Sequence, residues 1–283
     1  MSSSLAALPT NPEEIPDERL ERFVDAHARL FVLTGAGCST DSGIPDYRDT
    51  EGAWKRSPPM TYQLFMGSET ARARYWARSM IGWRHFGRAQ PNATHRALAE
   101  LGRRGRVEAL MTQNVDGLHE AAGSTGVIDL HGRLDRVRCM DCGDIAPRAP
   151  FQRQLADGNP GWLDRQAAHA PDGDADLEAD DFNDFVVPTC LHCGGVLKPD
   201  VVYFGENVPR ERVERAMHHL HRADAMLVVG SSLMVYSGYR FVVEASRRGI
   251  PIAAVNLGIT RADALLTLKV QASCAEALAF VRP

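Results

Sequence analysis

Six cysteines carry the first chemical signal in this 283-residue chain. Four form two pairs, Cys139-Met-Asp-Cys142-Gly143 and Cys190-Leu-His-Cys193-Gly194. Two residues between thiolates let both sulfurs face one ion, and the following glycine permits the tight turn. Two such pairs supply the four soft ligands that a tetrahedral Zn²⁺ takes. Cys139, Cys142, Cys190 and Cys193 are therefore expected to hold one zinc ion. Four thiolates complete its coordination, so its role is structural, and His192 inside the second pair faces solvent. Cys38 and Cys274 lie outside this set. Cys38 follows a glycine turn, where a helix N-terminus would lower a thiol pKa, so it reads either as a nucleophile or as a small packing residue.

The second signal is a set of apolar runs that each end in small or polar residues. Leu30–Leu33 runs into Thr34-Gly35-Ala36-Gly37, and Val107–Met111 into Thr112-Gln113-Asn114-Val115-Asp116. Val127–Leu130 ends at His131-Gly132, Ala225–Val229 at Gly230-Ser231-Ser232, and Ile252–Val255 at Asn256-Leu257-Gly258. Short, wholly apolar runs are the mark of parallel strands buried on both faces. Ligands of such sheets bind beyond the carboxyl ends of the strands, so these five endings are expected to line one crevice. The glycine turn is half of a dinucleotide fingerprint. Its two glycines allow a tight turn and close approach to a pyrophosphate, but the third glycine is replaced by Thr40.

Helices must fill the gaps between these strands. Pro16, Asp17 and Glu18 suit a first helical turn, and Leu20, Phe23 and Val24 share an apolar face. Pro209–Arg222, Phe241–Arg248 and Ala275–Val281 are further helical segments. Residues 139–197 break the alternation with the cysteine pairs and an acidic run, Ala168–Asp184. The expected fold is α/β: a Rossmann-like parallel sheet domain (15–133 and 198–283) with an inserted small zinc-binding module (134–197) that carries a long loop. Residues 1–14 read as a flexible lead-in, and 49–95 as a candidate helical part of the small domain.

Composition removes several classes. The net charge is −4 and the pI about 6.2, which argues against bulk nucleic-acid binding. No apolar run nears membrane-spanning length, and the N-terminus has neither a basic nor an apolar signal region. A cytoplasmic protein with reduced thiols is expected.

A more specific pattern follows the glycine turn: Ser42-Gly43-Ile44-Pro45-Asp46-Tyr47-Arg48. Together with Thr112–Asp116, Leu130–Gly132, Gly230–Leu233, Asn256–Gly258 and the paired cysteine motifs, it resembles the sirtuin family over Leu30 to Cys274. The resemblance implies an NAD-dependent protein lysine deacetylase or deacylase. Such an enzyme passes the acyl group from lysine to the ADP-ribose of NAD and releases nicotinamide. NAD is then a co-substrate, the zinc ion is structural, and the partners are acylated lysine side chains of proteins. Neither a membrane nor a nucleic acid is an expected partner, and the sequence sets no oligomeric state.

The same resemblance implies residue roles. His131 would be the general base, with Asn114 and Asp116 beside it holding the nicotinamide ribose and carboxamide pocket. Gly35, Ala36, Gly37, Ser42, Asp46, Arg48, Gln113, Val115, Gly230, Ser231, Ser232, Asn256, Leu257, Gly258 and Cys274 would complete the NAD site. Val202 and Phe204 would contact the acyl-lysine. Tyr47 after Ile-Pro-Asp, Leu197-Lys-Pro-Asp200, the stretch Ser232–Tyr239 in place of the more usual Val-x-Pro ending, and the long loop with Ala170–Asp174 together resemble class II sirtuins. Tyr75-Trp-Ala-Arg78 has the Tyr-x-x-Arg spacing that in desuccinylating sirtuins receives an acidic acyl group, so Tyr75 and Arg78 are candidate substrate residues. Other readings are a mono-ADP-ribosyltransferase using the same NAD pocket, a non-catalytic NAD-binding regulator, and a zinc-ribbon nucleic-acid adaptor.

Overall fold

Each of the five apolar runs becomes a strand, and all five join one parallel sheet. The computed structural model describes residues 16–55, 59–162 and 181–282. The lead-in 1–14 and the acidic run up to residue 180 lie outside the described residues. Helix α1 (Pro16–Ala26) leads into β1 (Leu30–Thr34). Helices α2 (Tyr62–Gly67), α3 (Glu69–Phe86) and α4 (Ala93–Arg103) precede β2 (Val107–Thr112), α5 (Leu118–Ala121) and β3 (Ile128–Asp129). Then come β4 (Gly132–Cys139), β5 (Ile145–Pro147), α6 (Arg148–Gly158) and β6 (Leu197–Val201). The chain continues through α7 (Arg210–Leu220), β7 (Ala225–Val229), α8 (Tyr236–Arg247), β8 (Ile252–Val255), β9 (Leu268–Val270) and α9 (Cys274–Ala277).

The large sheet has six strands in the order β3-β2-β1-β7-β8-β9, and every pair is parallel. Both faces are covered, which explains the unbroken apolar runs. Leu30 and Val32 of β1 pack with Leu20, Leu98 and Ala277 from α1, α4 and α9. Phe31 and Leu33 pack on the other face with Ala216 and Phe241 from α7 and α8. Strand order reverses between β1 and β7, and that switch point is where an open α/β sheet leaves a crevice.

Three features depart from the sequence reading. Strand β9 is additional: it has only three residues and Lys269 at its centre, too short a run to register as apolar. Helix α8 begins at Tyr236, before the expected Phe241, because nothing in Tyr236-Ser-Gly-Tyr239 stops the helix. Helix α9 ends at Ala277 and is fixed at its start by a reciprocal capping box between Ser273 and Glu276.

The second sheet is antiparallel, in the order β5-β4-β6. Its core joins Leu134, Val137 and Val201 to Phe65 of α2, Tyr75, Trp76 and Met80 of α3, and Phe151 and Leu155 of α6. Helices α2 and α3 thus pack on the small sheet. The fully buried Arg148 lies 4.7 Å from the Trp76 ring and donates to Ser79 Oγ and Gln152 Oε1. The small sheet starts at Gly132 and runs through Val201, so its strands reach beyond 134–197 at both ends.

Candidate active site

A cleft of about 620 Å³ opens between the two sheets. All five anticipated strand endings line it, through Gly35–Gly37, Gln113–Asp116, His131, Gly230–Ser232 and Asn256–Gly258. The unanticipated β9 adds a sixth ending, Ala272, Ser273 and Cys274.

The ends of β1 and β7 come unusually close. Gly37 N donates to Gly230 O at 2.9 Å, and Gly35 N to Val229 O at 3.1 Å. A Cβ on Gly35 would stand 2.7 Å from Ser231 Cβ, and one on Gly230 would stand 2.4 Å from Cys38 N. The glycines therefore let two strand ends touch, in addition to leaving room for a ligand. Cys38 sits beneath this junction, 1 % exposed. A hydrogen bond with the Cys274 side chain, followed by burial, pushes its thiol well above the ordinary range. A protonated, buried thiol is no nucleophile, so Cys38 is a packing residue. Cys274 does reach the cleft, and its thiol donates to Gly37 O.

Asn114 and Asp116 are held by a chain of hydrogen bonds behind β1 and β2. Asn114 Nδ2 donates to Gly35 O at 3.0 Å and Ser39 Oγ at 3.1 Å. Ser39 Oγ donates to Asp116 Oδ2 at 2.7 Å, and Leu118 N donates to Asp116 Oδ1 at 2.9 Å. Burial raises the Asp116 carboxyl above its usual value, while these bonds oppose the shift. Two buried imidazoles back this network. His95 Nδ1 accepts from Asn92 N, and His119 Nε2 donates to Thr34 Oγ1, whose own proton goes to Thr112. Burial lowers His95 to about 4 and His119 to about 3, so both are neutral.

His131 stands where the large sheet passes into the small one. Its carbonyl accepts from Val202 N at 2.8 Å. Gly132, at φ +82°, pairs with Val201, and a Cβ there would lie 2.0 Å from Asp200 O. Only glycine allows the strands to meet so closely, and their meeting sets the histidine beside Val201–Phe204. His131 Nδ1 lies 3.0 Å from Gln113 O and Nε2 lies 2.7 Å from Ser237 Oγ. Gln113 is itself anchored, its Nε2 donating to Ser231 Oγ at 2.6 Å. Burial, aided by the charges of Arg212 and Arg240, lowers the imidazole to about 4 against a backbone hydrogen bond that raises it. The ring is neutral at physiological pH.

The segment Asp46–Lys55 forms one wall. Arg48 lies 3.8 Å over the Trp54 ring and donates to Gly52 O at 2.7 Å, while Asp46 pairs with Lys55 at 2.5 Å. Trp54 meets Phe204 edge-on at 5.5 Å, joining this wall to the segment after β6. Asp46, Arg48, Tyr75, Val202 and Phe204 all line the cleft. Ser42 and Arg78 are not among its lining residues. Ser42 Oγ instead accepts from Asn92 Nδ2 at 3.0 Å. Sequence reading missed Trp54, Lys55, Ser237 and Arg240, which also line the cleft. Ser237 falls within the Ser232–Tyr239 stretch that the sequence marks only as a subgroup feature.

The four-cysteine cluster fits a zinc ion. The sulfurs of Cys139, Cys142, Cys190 and Cys193 all lie within 4.8 Å of one another. Cys139–Cys193 is 3.5 Å and Cys142–Cys190 is 3.9 Å. Zn–S bonds of about 2.3 Å in a tetrahedron require sulfur separations of about 3.8 Å. His192 is exposed, as expected.

Dinucleotides bind doubly wound sheets at such a switch point. With a four-thiolate knuckle built into the second sheet, the fold defines a Rossmann-type nucleotide-binding protein carrying a zinc module. The profile of the Sir2 family matches residues 35–237, and the chain belongs to that family, the sirtuins. It is 68 % identical over 263 residues to a Xanthomonas campestris pv. campestris (strain 8004) protein named "NAD-dependent protein deacetylase", covering 93 % of this chain and 90 % of that one. A Bordetella bronchiseptica protein of the same name is 65 % identical over 264 residues, covering 93 % and 96 %. Among solved structures, one described as "Sir2-p53 peptide-NAD+" superposes with a TM-score of 0.72 at 30 % identity, over 93 % of this chain and 96 % of the other. Another, "Structure of Sir2Tm bound to a propionylated peptide", gives 0.72 at 30 % identity, over 94 % and 97 %.

Proposed function

We infer that this chain is an NAD-dependent protein lysine deacetylase or deacylase, which moves an acyl group from lysine to ADP-ribose with release of nicotinamide. The geometric observation that carries the reading is the neutral His131, hydrogen-bonded through its carbonyl to Val202 on the expected substrate segment. The names of relatives at 63–68 % identity support it.

Bound NAD supplies an electrophilic ribose carbon and a nicotinamide leaving group. In this reading His131 Nε2 accepts the proton of a ribose hydroxyl, a task suited to a neutral, fixed imidazole. Asn114 and Asp116, already locked through Ser39, orient the nicotinamide ribose and carboxamide. Asp46, now paired with Lys55, would help to orient the nicotinamide amide, and Arg48 would sit near the phosphates or shield the reactive ribose carbon. Gly35–Gly37, Gln113, Val115, Gly230, Ser231 and Ser232 surround the pyrophosphate and ribose. Asn256, Leu257, Gly258 and Cys274 receive the adenosine. Acyl-lysine lies along Val202 and Phe204, whose backbone can add a strand to the incoming peptide. Tyr75 lines the same cleft, its ring against Phe65 and Tyr203. The zinc ion, held by the four cysteines, braces the small sheet. Six cysteines without a disulfide suit the reducing cytoplasm.

A mass-spectrometric panel tests the reading. Acetyl-, propionyl-, succinyl-, glutaryl-, methylglutaryl- and lipoyl-lysine peptides are incubated with NAD and with wild type or His131→Ala. Acyl loss that requires NAD and falls by at least two orders of magnitude in the variant supports the deacylase. Addition of ADP-ribose to protein without acyl loss would assign the pocket to ADP-ribosyl transfer.

A further inference from the structure

His131 is gripped at both ring nitrogens, and its two partners differ in kind. Gln113 O is a carbonyl and can only accept, so Nδ1 carries the ring proton. A neutral imidazole then keeps its lone pair on Nε2. Ser237 Oγ, 2.7 Å away, must therefore donate to it. We infer that Ser237 is a positioning residue: its hydroxyl donates to Nε2 and holds the aim of the ring whose tautomer Gln113 O sets, and gives up Nε2 to a substrate hydroxyl on binding. The inference rests on the reading of His131 as the base.

The contact is built by the local fold. Ser237 lies in the first turn of α8, and Gly238 follows it. A Cβ on Gly238 would stand 2.5 Å from Gln113 Oε1. The missing side chain lets the start of α8 settle onto Gln113, the residue that also holds the far side of the imidazole. One close approach thus brings both grips on His131 together across 106 residues of chain. The serine places a hydroxyl where the proposed mechanism requires a donor.

A hydroxyl serves the base in both of its states. It donates to Nε2 while the ring is neutral and, after rotation about χ1, accepts from Nε2–H once the ring is charged. An imidazole nitrogen has a single in-plane lone pair, so a ribose hydroxyl must displace Ser237 to be deprotonated directly. The charged groups acting on the ring, Arg212 on α7 and Arg240 on α8, both oppose its protonation. Donation from Ser237 acts in the same direction.

The test uses the full-length chain with isotope-labelled histidine. In wild type without NAD, nuclear magnetic resonance should show His131 as the Nδ1–H tautomer, titrating well below free imidazole. Ser237→Ala should keep the Nδ1–H tautomer that Gln113 O sets, raise the His131 titration and the acidic limb of kcat/KM by about one pH unit and lower kcat about tenfold, with the KM for NAD within threefold. Ser237→Thr should restore both readouts. Alanine suits a helix interior, so the variant should fold; should it not, Ser237→Cys, a weaker donor, is expected to give intermediate shifts. A Ser237→Ala enzyme with wild-type His131 titration, pH profile and kcat would overturn the inference. His131→Ala separates the two claims. Full activity in that variant would remove the base reading, while the difference in His131 titration between wild type and Ser237→Ala would still report the serine contact.

Discussion

Gly132→Ala is the sharpest perturbation of the site that touches no functional side chain. Its backbone sits at φ +82°, where a Cβ costs about 1–2 kcal/mol. The new methyl would also lie 2.0 Å from Asp200 O, against backbone that cannot swing aside like a flexible side chain. Overpacking of that kind adds about 1–3 kcal/mol, so a total loss of about 2–5 kcal/mol is expected. Gly105→Ala is the matched control: φ is +71°, and nothing lies within 4 Å of the added atom. It should lose only the conformational part, about 1–2 kcal/mol. Function should separate the two further. Relief of the clash parts β4 from β6 and shifts His131 against Val202, and a displacement of about 1 Å can cost roughly a hundredfold in rate. Urea unfolding and kcat/KM on an acetyl-lysine peptide measure both effects. Equal destabilisation by the two substitutions, with wild-type kcat/KM in Gly132→Ala, would refute the close-approach reasoning.

Acid should destabilise the protein through its buried imidazoles. His95, His119 and His131 are lowered to about 4, 3 and 4, whereas unfolded histidine titrates near 6.5. Unfolding then takes up protons, so their contribution is complete above about pH 6.5 and is lost as pH falls. Each should remove about 2 kcal/mol between pH 7 and pH 5. His119→Gln should flatten the pH dependence of urea unfolding by that amount, and an unchanged slope would contradict a buried neutral His119. Metal analysis should find one zinc per chain, and Cys190→Ser should lose it together with deacylase activity; full activity without zinc would contradict its bracing role. Arg78→Met should leave the ranking of acyl chains unchanged in the mass-spectrometric panel. A selective loss on succinyl and glutaryl peptides would restore the acidic-acyl reading.

The large sheet was legible in sequence wherever burial on both faces forced an unbroken apolar run. Strand β9 escaped because Lys269 interrupts it and pairs with Asp263. His131, Asn114 and Asp116 could be named from motifs, but what holds them could not. The route from Gly35 through Asn114 and Ser39 to Asp116 exists only once β1 and β2 lie side by side. The Ser237 contact likewise depends on how far α8 descends, which Gly238 permits and no local pattern announces. Asp46 and Arg48 were assigned to ligand, whereas in this structure Lys55 and Trp54 already engage them. Those partners lie a few residues along the chain, but only the folded-back wall joins them.

The passage from β3 into β4 has a mechanical consequence. Leu130 N is bonded to Thr112 O in the large sheet, and one residue later His131 O is bonded to Val202 N beside the small one. His131 therefore sits at the seam where one sheet hands the chain to the other. Any rotation of the small sheet about that seam would widen or narrow the cleft far more at its rim than at the histidine. A change in the width of the cleft about this seam would leave the distance from the imidazole to Val202 nearly fixed, so gape and aim would be uncoupled.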